Sequence, residues 1–266
     1  MNNYMSNKMI LSVTGIAIFA VMFCIGCYDL GIEPSVKPPV ITTFVDVRDG
    51  HVYKKEQIGD QIWMAENLNY AADGSVCYGE GDLNLGTVGT MAILVLSEDG
   101  STKYVKSVTP SEVCGIYGRL YNWYTAMGDE SSSNSDPSGV EGVCPVGWHL
   151  PSDAEWKKLI DYVGEHSGTK LKSHEFDMYA HATGHLTPEG RDIYNFSALS
   201  GGMGAHSDGT NSYTGLGTSG SWWTATEAAS DSDLAYRRYM SDNSDQVQEY
   251  HLDKHSYFAS VRCVHD

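Results

Sequence analysis

The chain has 266 residues, and 34 aspartates and glutamates against 17 lysines and arginines give it a formal charge of −17 at pH 7. A field of this sign repels nucleic acids and anionic lipid surfaces, so the composition argues against both as partners. Hydrophobic residues make up 41% of the chain, which is enough for a substantial globular core.

The first 27 residues have the three parts of a bacterial secretion signal. A polar start with a single cation, Lys8, precedes the apolar run Met9–Phe23 and then Cys24-Ile25-Gly26-Cys27. The small Gly26 before a cysteine predicts a lipoprotein signal peptide over residues 1–26 and lipidation of Cys27. An uncleaved membrane anchor is the alternative, because the apolar run is near the lower length limit for a bilayer span.

Residues 27–41 are predicted to form a tether, since they hold three of the eight prolines and show no clear periodicity. A single domain is expected over residues 42–266. We expect this domain outside the cytoplasm, at the bacterial outer membrane or the cell surface, where the N-terminal lipid would join it to the membrane.

Four cysteines remain in the predicted mature domain: Cys77, Cys114, Cys144 and Cys263. An even number in an exported chain predicts two disulfides, although three connectivities are open. We predict that the nearest neighbours, Cys77 and Cys114, pair, and that Cys144 and Cys263 make the long closure. A metal site or a catalytic thiol is the weaker alternative, because the mature chain lacks a C-x-x-C spacing.

Short alternating runs separated by Gly, Asp, Asn and Ser predict strands at residues 52–54, 61–65, 92–96, 104–108, 235–240, 246–252 and 257–264. The runs at 92–96 and 104–108 would form a hairpin that turns at residues 98–101. In the last run, Tyr257, Ala259, Val261 and Cys263 would share the buried face of a half-buried strand. Long loops are expected over residues 166–220.

Two helices are predicted. The first covers Tyr117–Met127 and places Leu120, Trp123, Tyr124 and Met127 on one core-facing side. The second begins with a capping box from Ser152 to Glu155 and ends at Gly164, with an apolar stripe of Trp156, Leu159, Ile160 and Val163. The predicted fold class is α+β, with two helices packed on antiparallel sheet.

Seven sequence blocks together resemble the Fibrobacter succinogenes major paralogous domain over about residues 44–266: DGHVYKKEQIGDQIWMAENLNY, VCYGE, CGIYGRLYNWYTAM, GVCPVGWHLPSDAEWKKLIDYVG, NFSALSGG, SGSWWTATE and SYFASVRCVHD. Such domains occur on exported bacterial proteins, often lipoproteins, without an established activity. The chain departs from the family at Glu80–Pro110, which is longer than the usual link and would add the hairpin.

A more distant resemblance of HLPSDAEW and SVRCV to sulfatase-modifying, formylglycine-generating enzymes implies a disulfide-closed, C-type-lectin-like fold. Those enzymes use a thiol pair near the C-terminus, whereas this chain has only Cys263 there. If Cys263 is bonded to Cys144, no thiolate is left for catalysis. We therefore expect a protein that is not an enzyme.

Histidines invite a zinc interpretation at His181 and His185, which have the i, i+4 spacing of a helical metal site. Gly184 and Pro188 lie in the same segment and disfavour that helix. We therefore expect exposed loop histidines and no resident cofactor, with calcium as the one candidate ion.

A binding surface is the leading functional hypothesis. Aromatic rings suit the C–H faces of sugars and nearby carboxylates accept hydroxyl protons, so the candidate ligand-binding residues are Tyr213, Trp222, Trp223, Glu227, Tyr236 and Tyr239. The lectin resemblance adds Asp242, Asn243 and Asp245 as weak calcium candidates, although the signature triplets of those lectins are not recognisable. The alternative to a binding role is a structural one, in which at least one of the two tryptophans belongs to the core.

The sequence thus predicts a non-catalytic, envelope-anchored binding or adhesion module for a polysaccharide or an envelope protein. The alternative is a structural or accessory envelope lipoprotein that binds no small ligand.

Overall fold

Two β-sheets form the framework of the domain in the computed structural model, which describes residues 42–83, 90–96, 103–174, 176, 192–229 and 231–266. Several sequence predictions lie outside these residues: the signal peptide, Cys27 and the tether, the hairpin turn at 98–101, and His181 with His185. None of the helices in the described ranges is long and apolar enough to cross a membrane.

The smaller framework sheet joins the two ends of the domain. Its strand order is β1-β2-β3-β15-β8. The strands are β1 (Thr42–Val45), β2 (Val52–Ile58), β3 (Gln61–Met64), β8 (Trp148–His149) and β15 (Val264–His265). Because Val264 pairs antiparallel with both Trp63 and His149, the last residues of the chain lie between elements from its beginning and its middle.

The larger sheet has the order β10-β9-β11-β12-β13, with β14 paired to β9. Its strands are β9 (Gly201–Ser207), β10 (Thr210–Leu216), β11 (Ser219–Ala228), β12 (Asp231–Ser241), β13 (Gln248–Asp253) and β14 (Tyr257–Phe258). Pairing is antiparallel except between β9 and β11, where Gly202 and Gly220 meet in a parallel bridge. Strands β9 and β10 occupy part of the region for which long loops were expected.

Two small sheets complete the strands: β4 (Ser75–Val76) with β7 (Leu120–Tyr121), and β5 (Met91–Leu96) with β6 (Lys103–Val108). The β5–β6 pair confirms the predicted antiparallel hairpin. The helices are α1 (Pro110–Tyr117), α2 (Trp123–Met127), α3 (Asp153–Val163) and α4 (Ser167–Leu171). The described residues thus form an α+β domain in which strands predominate.

Helix α3 confirms the prediction made from its capping box. The Ser152 hydroxyl accepts from the backbone N–H of Glu155, and the Glu155 carboxylate accepts from the backbone N–H of Ser152. Trp156, Leu159 and Val163 are buried, as the apolar stripe requires. Gly164, the predicted end of the helix, is its C-cap residue.

The predicted helix over Tyr117–Met127 is wrong as a single element. Helix α1 ends at Tyr117, β7 takes up Leu120 and Tyr121, and α2 starts again after Asn122. Gly118, at φ 78°, stops the first helix, and the Asn122 side chain caps the second by accepting from the Thr125 N–H. Local capping therefore overrides the helical periodicity of the apolar residues.

The predicted long C-terminal strand is also wrong. Its residues are divided between β14, in the larger sheet, and β15, in the smaller one. Ala259, Val261 and Cys263 are buried as expected, but Ser260 and Arg262, on the other side, are buried as well. The segment crosses the core between the two sheets instead of lying at its edge.

Both predicted disulfides are present. Cys77 bonds to Cys114 of α1, and Cys144 bonds to Cys263 within the main hydrophobic cluster. The second bond joins the loop before β8 to the residue before β15. It therefore fixes the same closure of the chain that the strand pairing makes.

A buried histidine ties the C-terminal residue to α3. The imidazole of His149 lies 2.7 Å from the Oε1 of Glu155 through Nε2 and 2.7 Å from the Oδ1 of Asp266 through Nδ1. The second oxygen of Glu155 accepts from the backbone N–H groups of Ser138 and Ser152. This cluster predicts a pH-dependent contribution to stability.

Burial disfavours the imidazolium of His149, but hydrogen bonds and charges from Glu155 and Asp266 outweigh it and raise the His149 pKa above 6.5. The stabilisation is complete below the unfolded-state pKa and is lost as pH rises through the folded-state pKa. We expect the free energy of unfolding to fall above about pH 6.5, and this slope to be smaller in a His149→Gln variant. Urea unfolding from about pH 5.5 to about pH 9 measures it, and equal slopes in both proteins would contradict the assignment.

Candidate functional site

Two open clefts meet at the side chain of Tyr124. The first, of about 470 Å³, is lined by Ala72, Asp73, Asn122, Tyr124, Thr125, Gly128, Asp129 and His255. The second, of about 420 Å³, is lined by Trp123, Tyr124, Met127, Asp129, Glu130, Ser131, Ser132 and Glu227. Since Tyr124 and Asp129 line both, we treat the two as one site and call it the Tyr124 groove.

The short helix α2 holds the ring of Tyr124 at the surface. Neighbouring Trp123 is buried and donates its indole N–H to the carbonyl oxygen of Thr224, which anchors the helix to β11. Gly128 ends the helix at φ 61°, where a Cβ would lie 3.1 Å from the backbone of Gly142. Tyr124, on the same helix, is 39% exposed.

Several contacts orient the Tyr124 ring. Its hydroxyl lies 3.0 Å from Nε2 of His255, and the two rings are 4.8 Å apart. The ring of Trp123 meets it edge-on at 5.7 Å. The ammonium of Lys254 lies 5.5 Å from the Tyr124 ring and 4.6 Å from the Trp123 ring. Lys254 and His255, in the turn after β13, thus form one side of the environment of the Tyr124 ring.

The groove is acidic. Lys254 is buried and is neutralised by Glu227, whose Oε1 lies 2.5 Å from its Nζ. Asp73, Asp129 and Glu130 add three more carboxylates. One oxygen of Glu130 already has a partner, because its Oε1 accepts a hydrogen bond from the backbone N–H of Gly142. An aromatic ring bordered by hydrogen-bond acceptors is suited to a polyhydroxylated ligand.

The sequence model of the Fibrobacter succinogenes major domain matches residues 57–265. The chain belongs to this family. Comparison of the chain with curated proteins and with solved structures found no match in either set. The matched region contains the whole Tyr124 groove and all four disulfide-bonded cysteines.

In this Fibrobacter succinogenes major domain, the prediction that Trp222 and Trp223 belong to a binding surface is wrong. Trp222 and Trp223 are both fully buried, and their indole N–H groups donate to Asn67 Oδ1 and to the carbonyl oxygen of Tyr121. Side chains without exposed surface cannot offer a face to a ligand. Both tryptophans belong to the core.

The predicted tyrosines are not gathered on one surface. Tyr213 donates its hydroxyl to the carbonyl oxygen of Glu80, 2.6 Å away. Tyr236 packs edge-on against His251, whereas Tyr239 packs against Tyr250. Since adjacent residues on a strand point to opposite faces, these partners place Tyr236 and Tyr239 on opposite sides of the larger sheet. Of the predicted ligand-binding residues, Glu227 lines the groove.

Two of the three weak calcium candidates have side-chain partners within the protein. Asp245 lies 2.5 Å from His166 through Oδ2, and Asn243 accepts from the hydroxyl of Ser241. The backbone N–H of Asp242 donates to the carbonyl oxygen of Thr218. Over the described ranges, no three histidine, cysteine, aspartate or glutamate side chains are grouped as a metal site.

Sequence reasoning missed Tyr124 itself, because the helical pattern assigned it to the core with Trp123. The signal that could have identified it is Asn122, a strong helix N-cap residue inside the supposed helix. A new helix start at Asn122 changes which side chains face inward.

Proposed function

We propose that this chain is a non-catalytic bacterial envelope lipoprotein whose domain binds a polysaccharide in the Tyr124 groove. The observation that carries the proposal is the exposed Tyr124 ring between two clefts lined by carboxylates, an amide and hydroxyls. A sugar ring can stack its C–H face on the phenol while its hydroxyls donate to Asp73, Asp129 or Glu130.

Anchoring is the second part of the proposal. We propose cleavage after Gly26 and lipidation of Cys27, which would keep the domain at the outer membrane or on the cell surface. The tether over residues 27–41 would let the groove reach a ligand away from the bilayer.

The non-catalytic part is supported by the disulfide between Cys144 and Cys263, which leaves Cys263 without a thiolate for oxidase chemistry. We also propose the C-type-lectin-like fold, supported by the meeting of β3, β8 and β15 in one disulfide-closed sheet. In this proposal the groove lies on the loops and short elements that the closed frame supports.

Replacing Tyr124 with alanine is expected to weaken polysaccharide binding about tenfold or more, because it removes the stacking face. Affinity electrophoresis of the full-length chain in detergent, in gels containing xylan, mannan or hydroxyethyl cellulose, measures the change. Tyr124→Phe keeps the ring and should retain most of the binding. Tyr162→Ala removes a tyrosine that is 59% exposed and outside the groove, and serves as the matched control.

Equal retardation of Tyr124→Ala and the wild type would reject the groove. If none of the polysaccharides retards the wild type, the structural or accessory role becomes the better account. Thermal unfolding of each variant separates lost binding from lost folding.

A further inference from the structure

A second cluster of aromatic residues surrounds Arg237 on the larger sheet. Arg237 pairs with Tyr250 across β12 and β13, so the two side chains share a face. The guanidinium carbon lies 4.8 Å from the ring centre of Tyr239 and 5.3 Å from that of Tyr250. The Tyr250 side chain is exposed, so this face is open to solvent beside the arginine.

The hydrogen bonding of Arg237 is incomplete. Its Nη1 donates to the hydroxyl of Ser221 at 2.9 Å. Its Nε is buried and has no hydrogen-bond partner, and Nη2 donates to none of the described residues. The Nε and Nη2 donors form the edge of a guanidinium that binds a carboxylate side-on. That edge is the one without a partner.

The charge of Arg237 is also uncompensated. Neighbouring Arg238, on the other face, pairs with Asp153 and Glu249, whereas Arg237 forms no ion pair with any carboxylate in the described part of the chain. Burial lowers the pKa of Arg237, opposed only by the phenol groups of Tyr239, Tyr250 and Tyr257. Acidic residues outnumber basic ones two to one, yet none of the described carboxylates pairs with Arg237. Its charge is therefore available to an external anion.

We propose that Arg237, Tyr239 and Tyr250 form a second ligand site, for a saccharide that carries a carboxylate group. Because Nε is covered in the free protein, Nη2 is the donor that an incoming carboxylate reaches first. The hydroxyls of Tyr239, Tyr250 and Tyr257 donate no hydrogen bond within the described ranges, so they can donate to the ligand's oxygens. The Tyr250 ring offers a face for the sugar's C–H groups. This site shares no residue with the Tyr124 groove and does not depend on it.

Isothermal titration of the full-length chain in detergent with a galacturonic acid trimer, and with its fully methyl-esterified form, tests the proposal. The acid should bind at least about tenfold more tightly than the ester, because only the acid can pair with the guanidinium. Arg237→Ala should weaken binding of the acid about tenfold to a hundredfold. Lys157→Ala, which removes a surface cation elsewhere, should leave this binding unchanged.

Equal affinity for acid and ester, no binding of the acid, or wild-type affinity in Arg237→Ala would each overturn the proposal. If Arg237→Ala proves poorly folded by thermal unfolding, Tyr250→Phe provides the decision. This variant keeps the ring and removes one hydrogen-bond donor, so it should weaken binding of the galacturonic acid trimer severalfold. An unchanged affinity would overturn the proposed site.

Discussion

Replacing Cys144 and Cys263 together with alanine is expected to lower the free energy of unfolding by about 5 kcal/mol. The bond closes a separation of 119 residues, and its removal lets the unfolded chain gain the corresponding conformational entropy. Both residues are buried in the main hydrophobic cluster, so the double replacement also avoids leaving an unpaired thiol there. Guanidinium unfolding of the oxidised proteins measures the difference.

The Cys77→Ala, Cys114→Ala double variant is the matched control. Its bond closes a separation of 37 residues, for which the same entropy relation gives about 4 kcal/mol. The two closed segments do not overlap in sequence, so the losses should add when both bonds are removed. A loss below about 1 kcal/mol for the Cys144 and Cys263 pair would show that the β15 pairing closes the domain without the covalent bond.

Local signals in the sequence predicted local structure well. The Ser152 and Glu155 capping box, the apolar stripe after it and Gly164 act within one helix, and α3 follows them. The disulfide pairing was also predicted, because four cysteines allow only three pairings. These features depend on residues near one another or on a short list of choices.

The burial of Trp222 and Trp223 depends on what covers each side of β11. Adjacent residues on a strand point to opposite faces, so a surface strand would bury one tryptophan and expose the other. Here Trp223 enters the cluster with Cys144 and Cys263, and Trp222 enters the one with Trp156. A strand with core on both sides was not evident from its sequence, because periodicity alone cannot identify it.

The Tyr124 groove could not be predicted because its wall comes from distant parts of the chain. Asp73, Tyr124, Glu227 and His255 meet only after α2 has packed against β11 and the turn after β13. Glu227 was nevertheless among the predicted ligand-binding residues, through its position after the tryptophans. Its position in the chain thus identified one carboxylate of the groove, whereas the aromatic partner, Tyr124, followed only from the fold.

Arg262→Ala is expected to destabilise the domain by about 3–5 kcal/mol, since it removes a large side chain from a packed core and leaves polar groups without donors. Arg262 is fully buried. Its Nε and Nη2 donate to Oδ1 of Asn67, and its terminal nitrogens donate to the carbonyl oxygens of Phe196 and Ser197. The Phe196 ring lies 4.4 Å from the guanidinium carbon. The cation is therefore held by neutral oxygens and an aromatic face.

Arg262→Met separates the two causes of this loss. Burial lowers the pKa of Arg262 to about 9, so the side chain is still charged at neutral pH. Methionine restores much of the volume and removes the cost of the buried charge, but the Phe196 and Ser197 carbonyl oxygens still lack a donor. Guanidinium unfolding should place Arg262→Met between the alanine variant and the wild type, with Lys157→Ala as the control for a lost surface cation. If Arg262→Met is as stable as the wild type, the packing of the side chain alone accounts for the contribution of Arg262 to stability. Its five hydrogen-bond donors would then add nothing that an apolar side chain cannot replace.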